Sequence, residues 1–379
     1  MNVKSKYKKH TIIFNIFRLM SKRQVKIVPP EVFSDNFQIV DRKEKAVGIP
    51  AVTSSMKHIA EEIGMIKGLK LIAKMNQKGG FDCSGSAWPD PDDKRSSLGE
   101  YCENGAKALA EEATTKRVTK EFFAQYSVEE MSNWSDYKIG KTGRLEEPMI
   151  LKAGSSHYEP ISWDEAFAKI STQLKNLSNP NEAVFYTSGR TANETAFLYQ
   201  LFAKQLGTNN LPDCSNMCHE SSGSGLSETV GIGKGSVTLE DLHKAEVIVV
   251  MGQNPGTNHP RMLAALEKCK KRGGKIISIN PLPEAGNNNF TDPQSPISIF
   301  KGGTQLTDLF LQVKINGDVA VLKAVMILLL DEEKKAPGTV FDLDFIQEYG
   351  AGYDELIQHL ETQDLDDLVH KSGLPLSEI

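Results

Sequence analysis

The chain lacks several features that would place it in large, well-defined classes. It has no run of about 20 apolar residues, the length a bilayer-spanning helix needs. Its longest apolar stretch, "VAVLKAVMILLL", carries Lys323 and is followed by acids. The shorter piece "TIIFNIF" near the start has no small-residue cleavage site behind it and no twin arginine before it. No transmembrane segment is therefore expected. Cysteine is scarce: Cys83, Cys102, Cys214, Cys218 and Cys269 are an odd set of five in 379 residues. This excludes a disulfide framework and predicts a reducing compartment, hence a cytoplasmic protein. Excess positive charge is absent too. A net charge of −5 gives no overall attraction to nucleic acid or to acidic lipid, so no nucleic-acid partner is expected. No strand is followed by a Gly-rich dinucleotide fingerprint with an acid roughly 20 residues on, which argues against a nicotinamide-dependent dehydrogenase.

What remains is an ordinary globular composition, 39% hydrophobic and 25% charged, in a chain long enough for two or three domains. Eight Lys and Arg precede the first acid, Glu31, and residues 1–44 read as a disordered basic arm, or as sequence upstream of a start at Met20. Ile59, Ile63 and Ile66 at helical spacing predict a helix over 56–75. The polar segment "GGFDCSGSAWPDPDDKRSS" reads as loop, although Trp88 and Trp134 imply local packing. Residues 45–150 are assigned to a small irregular domain of iron–sulfur type. From Ser162 the pattern changes. "SWDE" is a capping box, with Ser162 capping and Glu165 reaching back, and Phe167, Ile170, Leu174 and Leu177 share a helix face.

Short apolar runs, "AVFYTSG", "EVIVVMG" and "KIISIN", then alternate with helical stretches, which reads as βαβ units and a parallel sheet over 151–340. The clearest unit has a buried strand at Glu246–Met251, a loop at Gly252–Asn258, a helix with Pro260 in its first turn and Gly273–Gly274 at its end, and a strand at Lys275–Ile279. Ligands of open α/β sheets bind at the carboxyl ends of strands, which singles out the loop Gly252–Asn258. Residues 341–379 end on "KSGLPLSEI", where Ser377 signals a helix start two residues before the end. This predicts a truncated chain whose C-terminal half is missing.

The stretch "PDCSNMCHESSGSG" places Cys214 and Cys218 four apart with His219 adjacent. By itself it admits a metal pair, a nucleophile with its base, a disulfide or a buried turn. Three groups of motifs decide between them: "GFDCSGSAWPDP" with "CENGAK"; "TSGRTANETAFLYQ" with "GTNNLPDCSNMCHE"; and "GQNPGTNHPRM" with "INPLPE" and "NGDVAVLKAVM". In this order they resemble the molybdopterin oxidoreductase superfamily, in its formate-dehydrogenase-like alpha-subunit branch, from about residue 45 to the end. The resemblance implies an α/β fold, with the parallel-sheet nucleotide-binding-type domains of the formate dehydrogenase/DMSO reductase fold, here truncated. It implies molybdenum bis(molybdopterin guanine dinucleotide) and a [4Fe–4S] cluster as cofactors, a small formate-like substrate losing two electrons at molybdenum, and an electron-transfer partner.

Carried onto this sequence, Cys218 is the molybdenum ligand and His219 the proton acceptor. A thiolate is a soft donor for a redox metal, and an imidazole titrates near neutrality. Ser188, Gly189, Arg190, Asn193 and Glu194 would contact pterin or guanosine, and Gly252, Asn254, Pro255, Asn258 and His259 would hold phosphate or guanine. Asn280, Pro281, Gly317 and Asp318 complete the cofactor set, with Lys107 between cluster and pterin. Cys83 and Cys102 would ligate the cluster, but Ser86 stands where the family has a further cysteine. Two thiolates are too few for a cluster normally held by four. The alternative to an oxidoreductase is an inactive fragment that retains only cofactor or partner binding.

Overall fold

The computed structural model describes residues 43–85, 88–92, 94–212 and 214–379. The predicted basic arm, except for its last two residues, and Ser86 lie outside them. The contacts divide the described residues into two compact units, one holding Lys116–Lys169 and the other 43–115 with Ile170–Ile379.

In the larger unit the elements run β1 (Ala46–Val47), α1 (Gly48–Ile63), α2 (Met65–Ile72), α3 (Glu103–Glu112), α4 (Asn193–Leu206), α5 (Cys214–Val230), α6 (Leu239–Lys244), β2 (Val247–Met251), α7 (Pro255–Asn258), α8 (Met262–Lys271), β3 (Lys275–Ile279), α9 (Ala285–Asn288), β4 (Asn289–Thr291), β5 (Thr304–Gln305), β6 (Leu309–Leu311), α10 (Asp318–Lys335), α11 (Tyr353–Glu361) and α12 (Leu365–Ser372). The central sheet is entirely parallel, in the order β6-β3-β2, with Val247 opposite Lys275 and Leu309 opposite Ile277. A second sheet joins β1 parallel to β4 and β5 antiparallel to β4.

The β2–α8–β3 unit forms as the apolar pattern predicts. Ile248 and Val250 alternate inward and meet Met262, Leu263, Leu266 and Cys269 on one face of α8, and Ile276 joins them from β3. Burial of such side chains contributes about 1.5–3 kcal/mol each. Gly274 is required beneath this helix, because a methyl there would lie 2.4 Å from the Cys269 Sγ. β2 is not buried on both faces, contrary to its composition. Val247 is 55% and Val249 53% exposed, because α8 covers one side only. Pro260 lies before α8 rather than in its first turn, and Pro255 takes the first-turn position in the short α7.

Two other elements differ from expectation. The predicted helix over 56–75 is two helices, broken at Gly64 with φ +77. Ile59 and Ile63 enter a core with Ile72, Met75, Ala106 and Ala110, while Ile66 faces outward. "AVFYTSG" forms no named strand among the described residues: Phe185 donates one backbone hydrogen bond to Asn210 (2.9 Å) and Thr187 takes part in a single bridge. Apolar composition permits a strand, but only a neighbouring strand completes one.

The smaller unit pairs Arg117–Val118 with Arg144–Leu145 in parallel and Met149–Ile150 with Glu159–Pro160 antiparallel. Trp134 packs there edge-on to Tyr126 and Phe122. The Ser162 capping box forms: Ser162 N–H donates to Glu165 Oε2 (3.0 Å) and Glu165 N–H donates to Ser162 Oγ (3.2 Å).

Candidate functional site

At the carboxyl ends of β2 and β3 the chain leaves the sheet abruptly. Gly252 adopts φ +64, and its N–H donates to Ile279 O at 2.9 Å. The next turns, α7 and α9, then cross with almost no space between them. A methyl on Gly256 would lie 2.9 Å from the Gly286 Cα, and one on Gly286 would lie 2.6 Å from both Cα and N of Gly256. Beside this crossing is a cleft of about 400 Å³, bounded by Lys43, Lys45, Ser54, Glu103, Asn254 and Thr257.

Three interactions fix its walls. Asn104 Nδ2 donates to Thr257 O (2.8 Å), tying the first turn of α3 to α7. Lys107 pairs with Glu103 at 2.6 Å. Burial pushes the Glu103 carboxyl up, but hydrogen bonds from Lys107 and Ser54, with the charges of Lys107 and Lys43, outweigh it and hold the group below its usual range. Next to Asn254 in the chain, Gln253 O accepts from both Asn280 and Asn287, at 2.9 and 3.3 Å. The Asn287 Oδ1 is buried without a partner among the described residues.

A second cavity, of about 340 Å³, adjoins Trp88, Cys102 and Arg261. Arg261 is nearly buried and binds Asp90 (2.7 Å) and Glu100 (3.1 Å). Losing one partner of such a group is costly, because the remaining charge stays desolvated. Cys102 caps α3, accepting from Gly105 N–H at 3.5 Å, and Cys83 accepts from Gly85 N–H at 3.2 Å. Burial pushes the Cys102 thiol up. The described residues hold no group of three or more His, Cys, Asp or Glu placed to bind a metal ion. This donor set does not fit a four-thiolate cluster.

The structure thus brings together Cys83, Cys102, Lys107, Asn254, Pro255 and, through Gln253, Asn280. Asn258 and His259 lie just beyond, with the His259 ring 6.3 Å from that of Trp88. Pro281 O accepts from Gln312 (3.0 Å) on the sheet's far edge. Gly317 is explained by packing: a methyl there would meet the carbonyls of Lys314, Lys371 and Ser372 at 2.9–3.2 Å, with Asp318 opening α10 behind it. Ser188, Gly189, Arg190, Asn193 and Glu194 are exposed at the start of α4, where Arg190 N–H donates to Ser188 Oγ (3.2 Å). Cys218 and His219 are exposed on α5, and among the described residues no side-chain hydrogen bond ties them to the cleft. The side chain of Cys214 lies outside the described part.

Motif reading missed Lys43, Lys45 and Gly286. The two lysines belong to no recognisable pattern, and Gly286 shows its role only through its neighbour. Glu103 and Asn104 stood within the quoted "CENGAK" without being singled out.

Comparison with known proteins gives the following similarities. Residues 144–303 match the molybdopterin oxidoreductase family model. An uncharacterized oxidoreductase of Mycobacterium tuberculosis is 48% identical over 90% of this chain and 44% of its own length. The F420-dependent formate dehydrogenase 1 subunit alpha of Methanococcus maripaludis is 31% identical over 59% of this chain and 30% of its own. Acetylene hydratase from Pelobacter acetylenicus, a solved structure, superimposes with a TM-score of 0.45 and 19% identity over 59% of this chain and 28% of that one. The chain spans less than half the length of the first of these relatives. Residues 144–303 thus carry a molybdopterin oxidoreductase domain.

Proposed function

We propose that the cleft at the carboxyl ends of β2 and β3 holds one end of a molybdopterin guanine dinucleotide, and that the chain serves a formate-dehydrogenase-like oxidoreductase. The observation that carries this is the Gly256–Gly286 crossing. It brings two backbone turns into direct contact beside Asn254, Lys43 and Lys45, on the side of the sheet where α/β folds bind ligands. Lys43 and Lys45 would neutralise phosphate, Asn254 would orient the dinucleotide, and Lys107, steadied by Glu103, would keep positive charge between the Cys102 region and the cleft. Ser188, Gly189, Arg190, Asn193, Glu194 and Asp318 would contact pterin or guanine groups of the bis form of the cofactor. When bound, the molybdenum–pterin group supplies two-electron redox chemistry. Cys218 is proposed as its thiolate ligand and His219 as the acceptor of the substrate's proton. The substrate would be a small formate-like anion, with an electron-transfer partner, in the cytoplasm. No described helix is long and apolar enough to cross a membrane.

A second reading, cofactor binding without turnover, is favoured by the exposure of Cys218 and His219 on α5. One experiment separates the two. The purified chain is assayed for molybdenum, for GMP released on acid hydrolysis, and for formate oxidation, beside Cys218→Ala. Metal lost in the variant with GMP retained supports the assignment of Cys218. Bound GMP without turnover in the parent supports the second reading. Neither metal nor GMP in the parent refutes both.

A further inference from the structure

Cys83 and Cys102 converge on Gly105. A methyl at Gly105 would come within 2.7 Å of the Cys83 Sγ and 3.9 Å of the Cys102 Sγ, so the two sulfurs are separated by no more than those distances laid end to end. The residue they flank adds no side chain of its own, and the nearest other group there is the Met75 Cε, 3.7 Å from the same point. Each backbone is held. Cys83 N–H donates to Asn76 Oδ1 (2.7 Å), Asn76 Nδ2 donates to Glu100 O (2.6 Å), and Cys102 occupies the N-cap of α3. Both thiols are free and partly exposed, and Cys102 opens onto the cavity of about 340 Å³, which admits a small oxidant.

We propose that Cys83 and Cys102 are a redox-active dithiol that closes to an intramolecular disulfide, in place of the cluster that this donor set does not fit. With a peroxide as oxidant, one sulfur attacks a peroxide oxygen, the O–O bond breaks, and a sulfenic acid and water form. The second sulfur then attacks the sulfenic sulfur and water leaves. Two thiols and one peroxide give one disulfide and two waters. Cys83 is the first nucleophile, since its sulfur accepts the Gly85 N–H at 3.2 Å, a shorter contact than the 3.5 Å from the Gly105 N–H to Cys102. Closure to a bonding distance of about 2.05 Å draws the bend toward α3 rather than the reverse, because the helix is the stiffer element. The bond would staple residues 81–85 to the α3 turn, whose Asn104 contacts Thr257 at the cleft.

The test is a peptide map under non-reducing conditions of the full chain, purified without oxygen and treated with stoichiometric hydrogen peroxide. Expected is a Cys83–Cys102 cross-linked peptide two hydrogen masses lighter than its parts, in monomeric protein, reversed by a thiol reductant. Cys102→Ser should stop at a sulfenic acid on Cys83 that dimedone traps, and Cys83→Ser should leave Cys102 unmodified. A bond to Cys214 or Cys218, separate oxidation of both thiols to sulfinic acids, or iron and sulfide bound in the anaerobic protein would each overturn the proposal. The unmutated chain alone decides it if a variant fails to fold.

Discussion

Replacing Gly286 with alanine tests the crossing of α7 and α9 on which the cleft depends. A methyl at this position would sit 2.6 Å from two backbone atoms of Gly256. Carbon contacts are best at about 3.5–4.0 Å, so the overlap is about 1 Å and falls on main chain, which cannot rotate away as a side chain could. Neither glycine has a positive φ, so no conformational penalty is mixed in. Alanine would instead favour these short helices by up to about 1 kcal/mol. Overpacking costs about 1–3 kcal/mol, and an overlap with two backbone atoms belongs at the upper end. The net expectation is a loss of about 1–2 kcal/mol for Gly286→Ala. Gly256→Ala should lose less, since its methyl meets one atom at 2.9 Å and the next at 3.4 Å. Gly235→Ala is the control: nothing lies within 4 Å of its methyl, and the change should stay within about 0.5 kcal/mol. Urea unfolding followed by circular dichroism reads all three. Equal stability of Gly286→Ala and the parent would refute the close approach, and with it the shape assigned to the cleft.

Two further outcomes concern charge. Backbone N–H groups of Gly338, Phe341 and Val340 donate to the Glu333 carboxylate and hold it below its ordinary value of 4.5. A lowered folded value means that the unfolded chain takes up the proton first. This stability is present above about pH 4.5 and is lost as pH falls through the folded value, so the gap in melting temperature between the parent and Glu333→Gln should be wide at pH 7 and close toward pH 3. Asp308 accepts from Lys270 at 2.6 Å and from the Ile276 N–H at 2.8 Å, at the start of β6. Asp308→Asn should cost about 1–2 kcal/mol in urea unfolding, the part-exposed lysine contributing the smaller share, and an unchanged midpoint would show that this pair does not pin the sheet edge.

Sequence alone determined the elements whose stability is local or repeats along the chain. The alternation in "EVIVVMG", the periodic face of α8 and Gly273–Gly274 specified the β2–α8–β3 unit, and the Ser162–Glu165 box specified a helix start, because each is set by residues within a few positions of one another. The order of motifs likewise pointed to the molybdopterin oxidoreductase domain that residues 144–303 match. Tertiary structure alone decided which strand faces are covered. Val247 and Val249 carry the same composition as Ile248 and Val250 but are more than half exposed, and "AVFYTSG" pairs through isolated contacts only, short of a strand. It also decided the site. Gly256 and Gly286 stand 30 positions apart and matter only because two turns cross there. Cys83 and Cys102 become a pair only where Gly105 leaves room between them, and Lys43 and Lys45 acquire a role from the cleft they border. Such approaches depend on distances through space between segments remote in the chain, a quantity that no local pattern of residues encodes.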